Sequence, residues 1–359
     1  MRSLRIYRLL QVMWLIPFFT LLLIINNIAL ILDWILFPKF KAQKIYKPVF
    51  IVSLPRTGTT NLLHGLTTPN SQFTAMSLWE ILLAPAIIQK KTYRLLWKFS
   101  PVFIKQAIKK FDKLIFRKLS TIHKVSLFKK EEDDIIMMWS LSSVYLSFFY
   151  PESNVMRDLF RFDTELSEKR KNRIMKKYYR KVQRHLYSLG QNDQKRFLSK
   201  NPSMAVKMES ISKYFSDAKV IVIDRDPCII FPSTEFLQKQ LFNFATDVPT
   251  SLKESNAIMN ILEEFRSNLQ LTLVEKKLLP CIVISFQDLV KHREKTMNAL
   301  LKLLNCKYKD FKTDNEQHKT KAKYTTLKQE ELEKILRKPW PSWPKEMFLK
   351  IDTINTINE

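Results

Sequence analysis

Three rhythms of apolar and polar residues succeed one another along the chain. Residues 9–37, LLQVMWLIPFFTLLLIINNIALILDWILF, are almost unbroken in apolarity, and a bilayer span takes about 20 such residues. Pro17, Asn26, Asn27 and Asp33 interrupt the run, so it predicts either one membrane helix or a tight hairpin in one leaflet. The alternative is a buried helical hairpin of a soluble domain. A cleaved signal peptide fits poorly, because the run is too long and no small-residue cleavage site follows. Orientation stays open: Arg2, Arg5 and Arg8 precede the run, and Lys39, Lys41, Lys44 and Lys47 follow it. The second rhythm begins near Pro48. Short runs rich in β-branched residues predict strands at Val49–Ser53, Arg196–Ser199, Lys219–Asp224 and Cys281–Ser285. Helical spacing follows each, over Thr57–Leu66, Met204–Tyr214, Ser233–Leu241 and Arg293–Leu304. Strands alternating with helices imply a parallel sheet covered on both faces. The third rhythm, helical and rich in Lys and Arg, fills residues 78–190 as an insertion between the first two strands.

The expected architecture is therefore α/β: a three-layer α/β/α domain with a central parallel sheet and a large helical insertion. An N-terminal hydrophobic helix or helical hairpin precedes it. Residues 1–47 form the membrane-associated segment and basic linker, 48–314 the α/β domain, and 315–359 a polar tail. Trp340 and Trp343 sit among prolines in that tail, which is either a lid or a wrapping segment. No internal repeat occurs.

Composition narrows the partners. Hydrophobic residues at 46% and aromatics at 12% exclude a disordered chain. Lys and Arg number 60 against 34 Asp and Glu, a net charge of +26, which points to a polyanion, an anionic membrane surface or a phosphorylated ligand. The basic residues are spread evenly, so a general Lys bias accounts for the charge equally well. Cys228, Cys281 and Cys306 are odd in number and lack metal spacing, which favours a reducing, cytoplasmic compartment for the folded part.

Only three glycines occur, Gly58, Gly65 and Gly190, and Gly58 lies in Pro55-Arg-Thr-Gly-Thr-Thr60 between a predicted strand and helix. That geometry aims backbone N–H groups and a positive helix end at an anion. Gly58 can take positive φ, Thr57, Thr59 and Thr60 add donors, and Arg56 adds a fork suited to phosphate or sulfuryl oxygens. The loop lacks the first glycine and the lysine of a triphosphate-binding loop and suits a single terminal phosphate. A plain strand–helix turn is the bland alternative. A second cluster is Arg225 at the end of a predicted strand, with Pro232 as a first helical residue presenting Ser233. Its bland alternative is an Arg–Asp pair at a strand end. Lys200, ending another strand in Phe197-Leu-Ser-Lys-Asn-Pro202, places a point cation at the same sheet edge, or else is a solvated lysine.

Two anion sites and a central cation imply a ligand phosphorylated at both ends of a nucleoside. In these residues the sequence resembles the sulfotransferases that use 3′-phosphoadenosine-5′-phosphosulfate (PAPS). The PRTGTT loop is similar to their 5′-phosphosulfate loop, and Arg225 and Ser233 to their 3′-phosphate Arg and Ser, eight residues apart. Lys200 resembles the lysine of the tyrosylprotein branch, and Ser77-Leu-Trp-Glu-Ile-Leu-Leu-Ala-Pro85 a segment of bacterial-type members. The resemblance covers roughly residues 49–86 and 196–306. It implies a P-loop-like fold, PAPS as co-substrate and no required metal. Arg56 and Lys200 are then expected on the sulfuryl and bridging oxygens, with Glu80 as general base. His64, His123 and the acidic run Glu131-Glu-Asp-Asp134 compete for that last role. The run also has a plain reading as the acidic first turn of a helix, and a further one in acceptor binding. His318–Tyr324 is faintly similar to a late segment that closes over the nucleotide. Asn201, and the lack of a glycine-rich nucleotide segment near the C-terminus, depart from many relatives and leave the adenine contacts unassigned. The acceptor is a hydroxyl or amine on a lipid, glycan, tyrosine or small alcohol. Rival readings are a P-loop-like nucleoside or lipid kinase, for which Asp224 is the one carboxylate near a Walker B position, and a basic membrane-surface or nucleic-acid-binding protein with an inactive enzyme fold. Basic and aromatic residues do not interleave anywhere in particular, which disfavours nucleic acid.

Overall fold

The computed structural model describes residues 6–68, 71–117, 125–148, 158–190, 195–245, 252–306, 325–336 and 339–351. Its frame is a five-stranded, wholly parallel sheet of β1 (Val49–Ile51), β2 (Phe73–Thr74), β3 (Arg196–Lys200), β4 (Lys219–Asp224) and β5 (Cys281–Ser285). The strand order is β2-β3-β1-β4-β5. Val49 pairs with Leu198 on one side and Lys219 on the other, which puts β1 at the centre. Alternation along the strands divides the core in two. Phe50, Phe197, Val220 and Val222 face one cluster, with Tyr178, Phe215 and Phe265. Val49, Ile51, Leu198, Ile221 and Ile284 face the other, with Leu62, Leu66 and Leu300. These two cores give the three layers.

Chain order places α1 (Ile6–Leu36) and α2 (Thr59–Leu66) around the first strand, then α3 (Leu78–Leu82), α4 (Ile87–Phe99), α5 (Val102–Ile115) and α6 (Glu168–Leu189) in the insertion. The later helices are α7 (Met208–Tyr214), α8 (Pro227–Ala245), α9 (Leu252–Leu269), α10 (Phe286–Lys291), α11 (Arg293–Leu303) and α12 (Gln329–Ile335).

The N-terminal stretch is one helix running through Pro17, not a hairpin. Two of the polar residues that interrupt its apolar run, Asp33 and Asn26, dock it, whereas Asn27 is exposed and donates to Leu23 O of the same helix. Asp33 accepts from the N–H groups of Ile87 and Ile88 at 2.8 and 3.1 Å, capping α4, and pairs with Arg184 of α6 at 2.9 Å. Asn26 donates to Leu82 O and accepts from Gln89. Over residues 16–36 only 17% of the apolar stretch is buried.

Three local expectations change. Strand β2 is too short to register as a periodicity. Strand β1 stops at Ile51, where the chain turns into the loop that carries Arg56. Helix α8 starts at Pro227, not Pro232, because Asp226 Oδ1 already accepts from Cys228 N at 2.8 Å and caps it there. Pro232 lies inside the helix, and the carbonyl it leaves unpaired, Cys228 O, accepts from Leu327 N at 3.1 Å instead. In the tail, Pro341 O and Ser342 O accept from Arg266 and Gln270, Trp343 is buried, and Leu349 N donates to Val283 O. Residues 339–351 thus wrap α9 and β5.

Candidate active site

The loop after β1 is shaped by two left-handed residues, Arg56 (φ 66°) and Gly58 (φ 88°), with Thr57 Oγ1 donating to Leu54 O at 2.8 Å. Gly58 is the N-cap of α2, so the first-turn N–H groups of Thr59 and Thr60 have no intrahelical acceptor. A Cβ at position 58 would lie 3.2 Å from the ring of Phe286, the first residue of α10. Glycine is needed there on both counts.

Arg225 leaves the end of β4, stacks its guanidinium 4.0 Å over that same Phe286 ring, and donates through Nη1 to Arg56 O at 2.5 Å. Arg56 Nε in turn donates to Ser233 Oγ at 3.0 Å. The two predicted anion clusters are therefore in direct contact. Arg225 Nε and Thr234 Oγ1 are buried and lack a hydrogen-bond partner among the described residues. Ser233 lies in the second turn of α8, so the hydroxyl is presented from the side of that helix and not from its end.

Lys200 ends β3 opposite Ile51, and Asn201 N donates to Ile51 O, which fixes the lysine at the carboxyl edge beside the loop. Its side chain is 1% exposed and its ammonium lies 2.7 Å from Glu132 Oε1. The acidic run is split by this strand. Asp133 accepts from Tyr178 Oη and from Ser199 Oγ, the latter at 2.8 Å. Burial pushes its carboxyl up to about 6 despite those bonds. Asp134 pairs with Lys207 at 2.5 Å and accepts from Ser143. Asp133 and Asp134 open a 3₁₀ turn (Asp133–Ser140) rather than an α-helix, and they pin the insertion to β3. Glu132 is the member of the run seen to pair with the site lysine.

Glu80 lies on α3 and is 2% exposed. Its Oε2 accepts from Ser77 N at 2.9 Å and its Oε1 from Arg94 at 2.7 Å. Burial works to raise this carboxyl, but His185, Lys90 and Lys130 outweigh it and hold it at about 2. Burial keeps His185 neutral, at about 3, so the lysines carry that attraction at neutral pH. His64 meets Lys130 O at 3.2 Å through Nε2, and burial lowers its pKa. His123 and residues 318–324 lie outside the described residues. Asp224 faces Arg266 at 3.4 Å, on the side of the wrapped tail.

Residues 48–310 match the model of the sulfotransferase family, and the chain belongs to that family. The omega-hydroxy-beta-dihydromenaquinone-9 sulfotransferase Stf3 of Mycobacterium bovis and that of Mycobacterium tuberculosis are each 27% identical to it over 226 residues, 62% of this chain and 54% of theirs. The chain thus aligns with about half the length of the curated relatives it matches. Among solved structures, sulfotransferase STF1 from M. tuberculosis H37Rv has a TM-score of 0.57 at 18% identity, covering 83% of this chain and 78% of that one. STF9 from Mycobacterium avium has 0.59 at 16%, covering 79% and 70%. These likenesses show the fold, a P-loop-like sheet with helices on both faces. Phe286 and Glu132 are the contributors that spacing alone did not single out. One follows a strand end like any core aromatic, and the other hides in a run of four carboxylates.

Proposed function

We propose that the protein transfers a sulfuryl group from PAPS to the hydroxyl of a lipid acceptor at a membrane surface. The observation that carries this reading is the contact between the two anion clusters, Arg56 Nε to Ser233 Oγ and Arg225 Nη1 to Arg56 O. One ligand with phosphates at both ends of a nucleoside would engage both. Arg56, the N–H groups of residues 57–60 and the hydroxyls of Thr59 and Thr60 would hold the 5′ end, and Arg225, Ser233 and Thr234 the 3′-phosphate. The orphaned Arg225 Nε and Thr234 Oγ1 fit that assignment. When bound, PAPS supplies the sulfuryl group and a phosphate leaving group. Lys200 offsets negative charge on the transferring oxygens. For the base, the resemblance favours Glu80, while contact with Lys200 favours Glu132. We assign proton acceptance from the acceptor hydroxyl to Glu132, and to Glu80 the positioning of α3 against α4.

The lipid acceptor is supported by the relatives, named as sulfotransferases of a dihydromenaquinone derivative, and by α1, whose exposed side chains include Ile24, Ile28, Ile31 and Ile35. Residues 1–47 attach the chain, and residues 48–314 carry the chemistry on the cytoplasmic side. Sulfur-labelled PAPS incubated with membranes containing or lacking the protein tests this directly. Protein-dependent label in the lipid fraction is expected. Label confined to protein or glycan would contradict the acceptor class, and no transfer at all would contradict the activity.

A further inference from the structure

Helix α5 leaves its apolar face as exposed as its basic one. At 3.6 residues per turn, Phe103, Ile104, Ile108, Phe111, Leu114 and Ile115 fall within an arc of about 140°, and Lys105, Lys109, Lys110 and Lys113 occupy the opposite side. The apolar arc points outward: Phe103, Phe111 and Leu114 are 70%, 61% and 66% exposed. Asp112 is the one buried side chain of the helix, and it tethers α5 by accepting from Ser126 Oγ and Leu127 N at 2.7 and 2.8 Å. The end of α4 continues this surface, with Leu95, Leu96 and Phe99 exposed. Helix α4 itself packs along α1, so the apolar surface runs on from the helix expected to meet lipid.

We propose that α5 is an in-plane membrane helix, its apolar arc entering the headgroup–acyl boundary of an anionic leaflet. The side-chain chemistry of this face favours a bilayer over a protein partner. A row of phenylalanine and aliphatic side chains on one face, backed by four lysines and no free acid, matches an interfacial helix on anionic lipid. The inference rests on the membrane attachment proposed above and adds a second contact, one that holds the insertion against the surface from which a lipid acceptor would come.

The test uses the full chain in vesicles of phosphatidylethanolamine with phosphatidylglycerol, and in phosphatidylcholine alone. A nitrobenzoxadiazole label is placed at Phe111→Cys, at Lys113→Cys on the opposite arc, or at Ile24→Cys on α1, with the labelled wild-type chain as blank for the native cysteines. In anionic vesicles the label at 111 is expected to be quenched several-fold more by doxyl-lipid than the label at 113, with the order reversed for aqueous iodide. The contrast should weaken in phosphatidylcholine. Equal iodide quenching at 111 and 113 would overturn the inference. If 24 is then lipid-quenched, attachment by α1 still stands; if it is not, both fail. A label at 111 shielded from both quenchers, in a particle of doubled mass, would assign the face to a second copy and overturn the proposal equally.

Discussion

At the scale of single residues, the site turns on which carboxylate meets the acceptor. Glu132 lies against Lys200, whereas Glu80 is tied to Ser77 N and Arg94. Glu132→Gln is therefore expected to lower turnover by about 10²–10⁴, the usual worth of a general base, with nucleotide binding kept. Glu80→Gln is expected to lower the melting temperature, through loss of a cap and a buried ion pair, with turnover per folded molecule changed far less. Steady-state transfer measured beside thermal melting separates the two, and a folded but inactive Glu80→Gln with an active Glu132→Gln would reverse the assignment. Arg56, Gly58 and Arg225 were legible because each follows a run rich in β-branched residues, Lys200 because it ends the short apolar run Phe197-Leu198, and a parallel sheet sends all its strand ends to one edge. Glu132 was not, because spacing within an acidic run does not say which carboxylate faces which side of β3. Adjacent residues settle it in the fold: Ser199 faces Asp133, and Lys200 faces Glu132.

Elements are joined by polar struts that the sequence pattern renders as blemishes. Asp33 interrupts an apolar run, yet it caps α4 and pairs with a buried arginine. Asp33→Ala strands the Arg184 guanidinium, 5% exposed, without its carboxylate, and a loss of about 3–5 kcal/mol is expected in chemical denaturation. An unchanged midpoint would mean that α1 does not dock in this register. Asp133 gives the junction between the insertion and β3 a pH dependence. Its folded carboxyl keeps the proton to about pH 6, while an unfolded aspartate releases it near 4. The stability it contributes by staying neutral is present below that range and is lost as pH rises from about 4 to about 6. Two units correspond to about 3 kcal/mol. Asp133→Asn should flatten the melting-temperature profile across this window, and an unaltered slope there would refute the assignment. The alternation of strand and helix was readable in periodicity because both faces of the sheet are buried. Strand β2 escaped because two residues carry no period, and the start of α8 because Pro227 and Pro232 both suit a first turn.

For the whole molecule, the net charge of +26 stays spread along the chain, and only a few of its basic residues meet at the site. Arginines and a lysine gather at the carboxyl edge of one sheet, an apolar helix leaves one flank, and the tail wraps the other. Family membership follows from the match over residues 48–310, while the donor and acceptor are what the geometry leads us to propose. The central claim is a single nucleotide site built from both anion clusters. Titration calorimetry of adenosine 3′,5′-bisphosphate into the folded full chain tests it most directly. The account predicts binding, with Arg56→Ala and Arg225→Ala each weakening it about tenfold to a hundredfold, as loss of a charge-assisted hydrogen bond worth roughly 1.5–3 kcal/mol requires. Folded protein that gives no heat of binding, or binds equally well without Arg225, would contradict it.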